Sequence, residues 1–134
     1  MSSIFTKIVN REIPAYIIAE DDKYLAFLDI NPLAKGHTLV IPKKEVDYIF
    51  DLDDETLTGL WLFAKRVAKA IDQYTKDVAI RTGVAVVGLD VPHAHIHLVP
   101  ISNVADMNFA KPKLKLDPKE FESIAEGIRS FLKK

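Results

Sequence analysis

Residues 92–100 read PHAHIHLVP, and three of the chain's four histidines fall within those nine positions. His93, His95 and His97 alternate with Ala94, Ile96 and Leu98. Successive side chains of an extended strand point to opposite faces, so the three imidazoles would share one face, with neighbouring Cβ atoms roughly 6.5–7 Å apart. The apolar residues would share the other face and pack on a helix. A lone histidine on a strand is an ordinary structural residue, but three in strict alternation ask for a chemical explanation. Two chemistries want such a row. Neutral imidazoles at alternate positions can converge on zinc, with water or His37, the remaining histidine, completing the site. Alternatively, the middle imidazole attacks phosphorus while its neighbours donate hydrogen bonds to phosphate oxygens. A backbone carbonyl accepting from the far nitrogen of the attacking ring would fix its tautomer. Spacing alone is compatible with both.

The flanking sequence supplies the elements that must hold this row. AYIIAE and KYLAFLDI surround the polar EDDK at 20–23, a pattern for a two-stranded hairpin. NPLAKG breaks the chain, and HTLVIP resumes a β-branched strand that stops at Pro42. In the stretch 51–75, Leu57, Leu60, Trp61, Ala64, Val67, Ala68 and Ile71 recur at helical spacing behind Asp53 or Asp54 as N-cap. Lys65, Arg66, Lys69 and Asp72 fall on its solvated side. VAIRTGVAVVG and AHIHLVPI read as two further strands, and 102–116 as a polar connection over the surface. A C-terminal helix follows over 117–133, with Asp117 as N-cap, Pro118 in the first turn and Glu120 at the capping-box position. Phe121, Ile124, Ala125, Ile128 and Leu132 form its apolar stripe. Strands, helix, strands, helix predict an α+β domain: a largely antiparallel sheet of about five strands, one long central helix and a C-terminal helix.

Composition sets the outer limits. At 134 residues the chain suits a single domain over 1–134, with 49% hydrophobic and 28% charged residues. A formal charge of −1 offers no global attraction for a nucleic-acid polymer or an anionic membrane. The absence of cysteine excludes disulfides and thiolate metal sites. Lys7, Arg11 and Glu12 interrupt the N-terminus before a signal-peptide core could form, and no apolar run approaches the ~18 residues of a membrane span. These features predict a cytoplasmic protein.

The stretch His93-Ala-His95-Ile-His97-Leu-Val resembles the signature of the histidine-triad (HIT) superfamily. Residues 4–44, from IFTKIVNREIP to HTLVIPKK, resemble the N-terminal half of its Hint-like nucleotide-binding branch, and the likeness covers roughly 4–101. It implies a compact HIT-like fold, homodimers that join their sheets, a nucleotide or nucleotide conjugate as ligand, and no cofactor or catalytic metal. It implies that His95 is the nucleophile forming a covalent nucleotidyl-imidazole. His93 and His97 would contact the phosphate or steady the attacking ring and leaving group, with His37 as the additional histidine of the site. Asp29 would take the ribose hydroxyls with Ile30 beside it, and Phe5, Ile8 and Phe27 would wall the base. Asp29 as a cap for the turn before Pro32, and the three wall residues as plain core, are the competing structural readings.

This chain departs from that pattern at several positions. Ser3 and Thr6 stand where relatives often carry Cys-x-x-Cys, and Glu45 replaces the histidine that completes that zinc site. Thr82 and Leu89 stand where Asn and Gln are usual near the phosphate; Thr82 could still donate one hydrogen bond, Leu89 none. Asp90 lies three residues before His93, where a carboxylate would repel a phosphate unless turned away or paired. The C-terminal segment ends in a helix rather than an extended tail. The resulting expectation is a hydrolase or transferase acting at the α-phosphate of nucleoside phosphoramidates or related monophosphate conjugates. The alternatives are a dinucleoside polyphosphate hydrolase, a non-catalytic nucleotide-binding module, and a zinc-binding protein.

Overall fold

The computed structural model describes residues 2–132. Its ten elements run α1 (Ile4–Val9), β1 (Ile17–Glu20), β2 (Tyr24–Leu28), β3 (Thr38–Pro42), a 3-10 turn (Ile49–Asp51), α2 (Asp54–Tyr74), β4 (Arg81–Ala85), β5 (Ile96–Ile101), a second 3-10 turn (Val104–Met107) and α3 (Pro118–Arg129). All pairings are antiparallel, and the strands lie in the order β1-β2-β3-β5-β4. The α+β class and the five-stranded sheet expected from the sequence are both present. No helix among the described residues is long and apolar enough to cross a membrane.

The sheet's parity divides the core. Val40 pairs with Ile96 and Thr38 with Leu98 on the face that packs against α2 and α3. Leu39 pairs with His97 on the opposite face, where Leu25, Phe27 and Ile41 meet Phe5 and Ile8 of α1. One face is thus covered by two long helices. The other is only partly covered by a six-residue helix, which leaves room for a cavity.

The long helix begins as its sequence indicates: the Asp53 carboxylate accepts from the Thr56 N–H at 2.7 Å. Its buried stripe is Leu60, Phe63, Ala64, Val67, Ala70 and Ile71. Trp61, expected in that stripe, is instead 42% exposed. The helix is rotated so that Phe63 and Ala70 take the inward positions. α3 starts at Pro118 behind Asp117, which accepts from the Glu120 N–H at 2.8 Å. It ends at Arg129 rather than at 133, a residue outside those described. α1 has no counterpart among the elements expected from sequence.

Candidate active site

Of the three alternating histidines, only His97 lies inside β5, which opens at Ile96. The register with β3 ends at the Val40–Ile96 pair, and the preceding chain takes a different set of bonds. The His93 N–H closes a tight turn onto the Val91 carbonyl at 2.8 Å, and the Ala94 N–H donates to the Val46 carbonyl at 2.7 Å. Alternation survives: Ala94, Ile96 and Leu98 enter the helix-side core, while His95 and His97 line a cavity of about 370 Å³ on the other face.

The hydrogen-bond network fixes the tautomer of each neutral ring. A carbonyl can only accept, so His95 carries its proton on Nδ1, 2.7 Å from the His93 carbonyl. Its Nε2 lone pair accepts from no side chain or backbone group among the described residues, at the wall of the cavity. A backbone amide can only donate, so the Leu33 N–H at 3.0 Å makes His37 Nδ1 an acceptor and puts the His37 proton on Nε2. That proton is donated to His97 Nδ1 at 3.0 Å, which leaves His97 with an Nε2–H. Burial, then the neighbouring imidazoles, hold both rings neutral: His37 is pushed down to about 3 and His97 to about 4. Phe109 packs edge-on to both, with ring centroids 4.8 Å from His97 and 6.2 Å from His37.

His93 is placed differently. It is fully buried, and it does not line the cavity. Its Nε2–H donates to the Pro42 carbonyl at 2.8 Å, and its Nδ1 accepts from the Ser3 hydroxyl at 2.8 Å. Both nitrogens are therefore occupied. The ring has no nitrogen free for a phosphate contact, and the His93 backbone carbonyl is the group that meets His95 Nδ1.

Ser3, Thr6 and Glu45 meet around that ring. Ser3 caps α1 by accepting from the Thr6 N–H at 3.0 Å. The Thr6 hydroxyl and the Ser3 N–H both donate to the same Glu45 oxygen, at 2.6 and 2.7 Å. The four residues form a closed hydrogen-bonded knot with no thiolate, and the imidazole nitrogen a metal would need is already accepting a proton. Zinc does not fit there. Among the described residues, Asp29, His37 and His97 form the one group whose donor atoms, within 4.8 Å of one another, could hold a metal ion. A cation would have to displace the proton shared between the two imidazoles.

Asp29 and Ile30 line the cavity, as do Phe5, Ile8, Phe27 and Asp90. The two oxygens of Asp29 have different neighbours. Oδ1 accepts from the Asn31 N–H at 2.8 Å, a turn cap, while Oδ2 lies 3.5 Å from His37 Nε2. Burial pushes the Asp29 carboxyl up and the His37 imidazole down, so the two do not form an ion pair. The loop that brings them together turns at Gly36, whose φ of 107° favours glycine. Asp90 is exposed at the rim, on the loop that links β4 to the histidine stretch.

Thr82 requires a correction. It lies opposite Pro100, on the same parity of β4 as Val84, which pairs with Leu98 on the helix side. Its hydroxyl donates to Asp72 of α2 at 2.7 Å, and it does not line the cavity. Among the lining residues that the sequence does not single out are Phe109 and Lys113, from the connection before α3. Leu114 N–H, bonded to the Pro32 carbonyl at 2.9 Å, ties that connection to the loop carrying Asp29.

Comparison with known proteins agrees with this geometry. The model of the HIT domain matches residues 10–104. The chain is 37% identical to the adenosine 5′-monophosphoramidase hnt1 of Schizosaccharomyces pombe, covering 99% of this chain and all of that one. Its structure resembles a Hit-like protein of Bartonella henselae (TM-score 0.85, 32% identity, 98% and 96% of the two chains). It also resembles a zinc-bound histidine triad family protein of Mycobacterium smegmatis (TM-score 0.80, 33% identity, 98% and 94% covered). An alternating histidine stretch with one imidazole nitrogen free at a cavity, and matches spanning nearly the whole chain, make this protein a member of the HIT family.

Proposed function

We propose that this protein is a hydrolase or transferase of nucleoside monophosphate conjugates, with phosphoramidates as the substrate class, acting at the α-phosphate. The observation that carries the reading is His95. Its Nδ1–H is anchored to a carbonyl, and its Nε2 lone pair stands at a cavity walled by Phe5, Ile8 and Phe27. The same cavity presents the Asp29 carboxylate, an acceptor for both hydroxyls of a vicinal diol. The name of the fission-yeast relative, an adenosine 5′-monophosphoramidase, supports the same reading.

The chemistry follows from the tautomers. The P–N nitrogen, protonated from solvent, leaves as the neutral amine while His95 Nε2 forms a bond to phosphorus. The ring becomes cationic, and its Nδ1–H strengthens its bond to the His93 carbonyl. His97 Nε2–H serves as a donor to a phosphoryl oxygen. Water then attacks phosphorus, the P–Nε2 bond breaks, and the water's proton returns to solvent. The sum is amine plus nucleoside monophosphate.

The test is turnover of adenosine 5′-phosphoramidate by the full chain, followed by AMP release. Loss of His95 (His95→Ala) should lower the rate by about a thousandfold or more; an unchanged rate defeats the proposal. One observation favours a second reading, a non-catalytic nucleotide-binding module. With Thr82 bonded to Asp72 and Leu89 apolar, neither position offers a side-chain donor to the phosphate. Tight AMP binding without turnover would select it. We also infer a homodimer. β4 is an edge strand of the sheet, and Ile80 and Val84 beside it are 72% and 47% exposed. Sedimentation equilibrium checks this.

A further inference from the structure

A nucleoside monophosphate conjugate brings a negative charge into the cavity beside His95, and most of the wall gives that charge no partner. Two lining residues, Asp29 and Asp90, are carboxylates, while burial holds the His37 and His97 rings neutral. Thr82 is engaged with Asp72 on the helix side, and Leu89 has no donor. Among the described lining residues a single lysine or arginine remains, Lys113. It is half-buried, whereas Lys111 and Lys115 on the same connection are exposed. Its ammonium donates to the carbonyls of Phe109 and Lys111, the latter at 3.0 Å. The Phe109 ring in turn packs edge-on to His97 with centroids 4.8 Å apart. Leu114, the next residue, is fastened to Pro32 in the loop that carries Asp29 and His37.

We propose that Lys113 is the phosphate-binding cation of this site, a role that rests on the nucleoside monophosphate reading above. An ammonium has three donors. Two go to backbone carbonyls, and no carboxylate pairs with Lys113 among the described residues, which leaves one donor for a phosphoryl oxygen. Its charge already reaches the site. Burial pushes the Asp29 carboxyl up and the His37 imidazole down, and on each of them Lys113 adds a smaller downward influence. A lysine tethered to two carbonyls beside a loop anchor loses little freedom on binding, and its bond to a phosphate is charge-assisted. The counter-charge that β4 and Leu89 do not supply thus comes from the connection before α3. The same ammonium could instead serve only to keep Asp29 ionised for the ribose. A neutral nucleoside separates the two uses, since it carries the diol and no phosphate.

The experiment is calorimetric titration of the full chain with AMP and with adenosine. Lys113→Gln removes the charge while its amide keeps a donor for the carbonyls; Lys115→Gln removes the same charge from an exposed position on the same connection. Lys113→Gln should weaken AMP binding by about tenfold or more and leave adenosine binding unchanged, and Lys115→Gln should move neither. Unchanged AMP affinity in Lys113→Gln, or equal losses for AMP and adenosine, overturns the role of Lys113 while the nucleotide site stands. An equal loss in Lys115→Gln reduces the effect to general surface charge and overturns it as well. Failure of wild type to bind AMP overturns the nucleotide reading together with the proposal. A second readout needs no variant: AMP, and not adenosine, should protect Lys113 of the wild-type chain from acetylation by acetic anhydride, followed by peptide mass spectrometry. Equal labelling of Lys113 with and without saturating AMP defeats the proposal.

Discussion

The hydrogen-bonded knot around His93 makes Ser3 the most exposing position to perturb. Replacing Ser3 by Ala removes one oxygen with two tasks. As N-cap of a six-residue helix it accepts from Thr6 N–H, and such a cap is typically worth about 1 kcal/mol. As donor to His93 Nδ1 it satisfies an acceptor on a fully buried ring; leaving a buried polar atom unpaired costs about 1–3 kcal/mol. The Thr6 hydroxyl, 3.4 Å from the same nitrogen, can turn toward it only by abandoning its 2.6 Å bond to Glu45. The expected net loss is therefore about 2–4 kcal/mol. Urea denaturation at equilibrium reads it directly. Imidazole ¹⁵N shifts provide the second readout, since Nδ1 of His93 should lose its hydrogen-bonded signature. Because the His93 carbonyl anchors His95, turnover should fall in kcat more than in KM. A loss below about 0.5 kcal/mol, with the His93 resonances unmoved, would refute the role assigned to the knot.

Three further outcomes follow from the same geometry. Asp29→Asn keeps the cap to Asn31 but removes the charged acceptor; kcat/KM should fall about ten- to hundredfold for a ribonucleotide substrate and much less for its 2′-deoxy analogue. Acidification should destabilise the fold as pH falls below the unfolded histidine value of 6.5 toward about 4, because His37 and His97 stay unprotonated when folded, at about 3 and about 4. The unfolded chain binds the extra protons, so stability rises with pH in that window, by up to about 1.4 kcal/mol per pH unit for each histidine. Asp29, pushed up by burial, opposes the trend, and denaturant titrations at several pH values give the slope. Gly59→Ala should destabilise α2 despite alanine's better helix propensity. The added Cβ would fall 2.0 Å from the Tyr24 hydroxyl, which bonds the Thr56 carbonyl at 3.0 Å; thermal unfolding reads the sign.

What the sequence reveals depends on whether a residue's place is decided locally. The hairpin, β3, α2 and α3 carry periodicity, caps and breakers within their own segments, and each forms where those signals lie. α1 spans only six residues, too few for a helical period to declare itself. Trp61 was misplaced because several helical stripes through 57–71 are equally apolar, and only packing against the sheet chooses among them. Thr82 was misplaced because the parity of a short edge strand is set by pairing with β5, not by its own composition. Phe109 and Lys113 lie in an aperiodic connection whose path is fixed by Leu114 reaching Pro32. The histidine row was legible because alternation is itself the signal. The sequence shows Ser3, Thr6 and Glu45 only as departures from a zinc site; their mutual bonding becomes visible in three dimensions.

The most direct test of the central claim is mass spectrometry of the enzyme quenched within a single turnover of an adenosine phosphoramidate. One adenylyl group should be found on the peptide carrying residues 92–100, at His95. Recovery of full activity with that peptide unmodified, or an adduct on His97 or His37 instead, would contradict it.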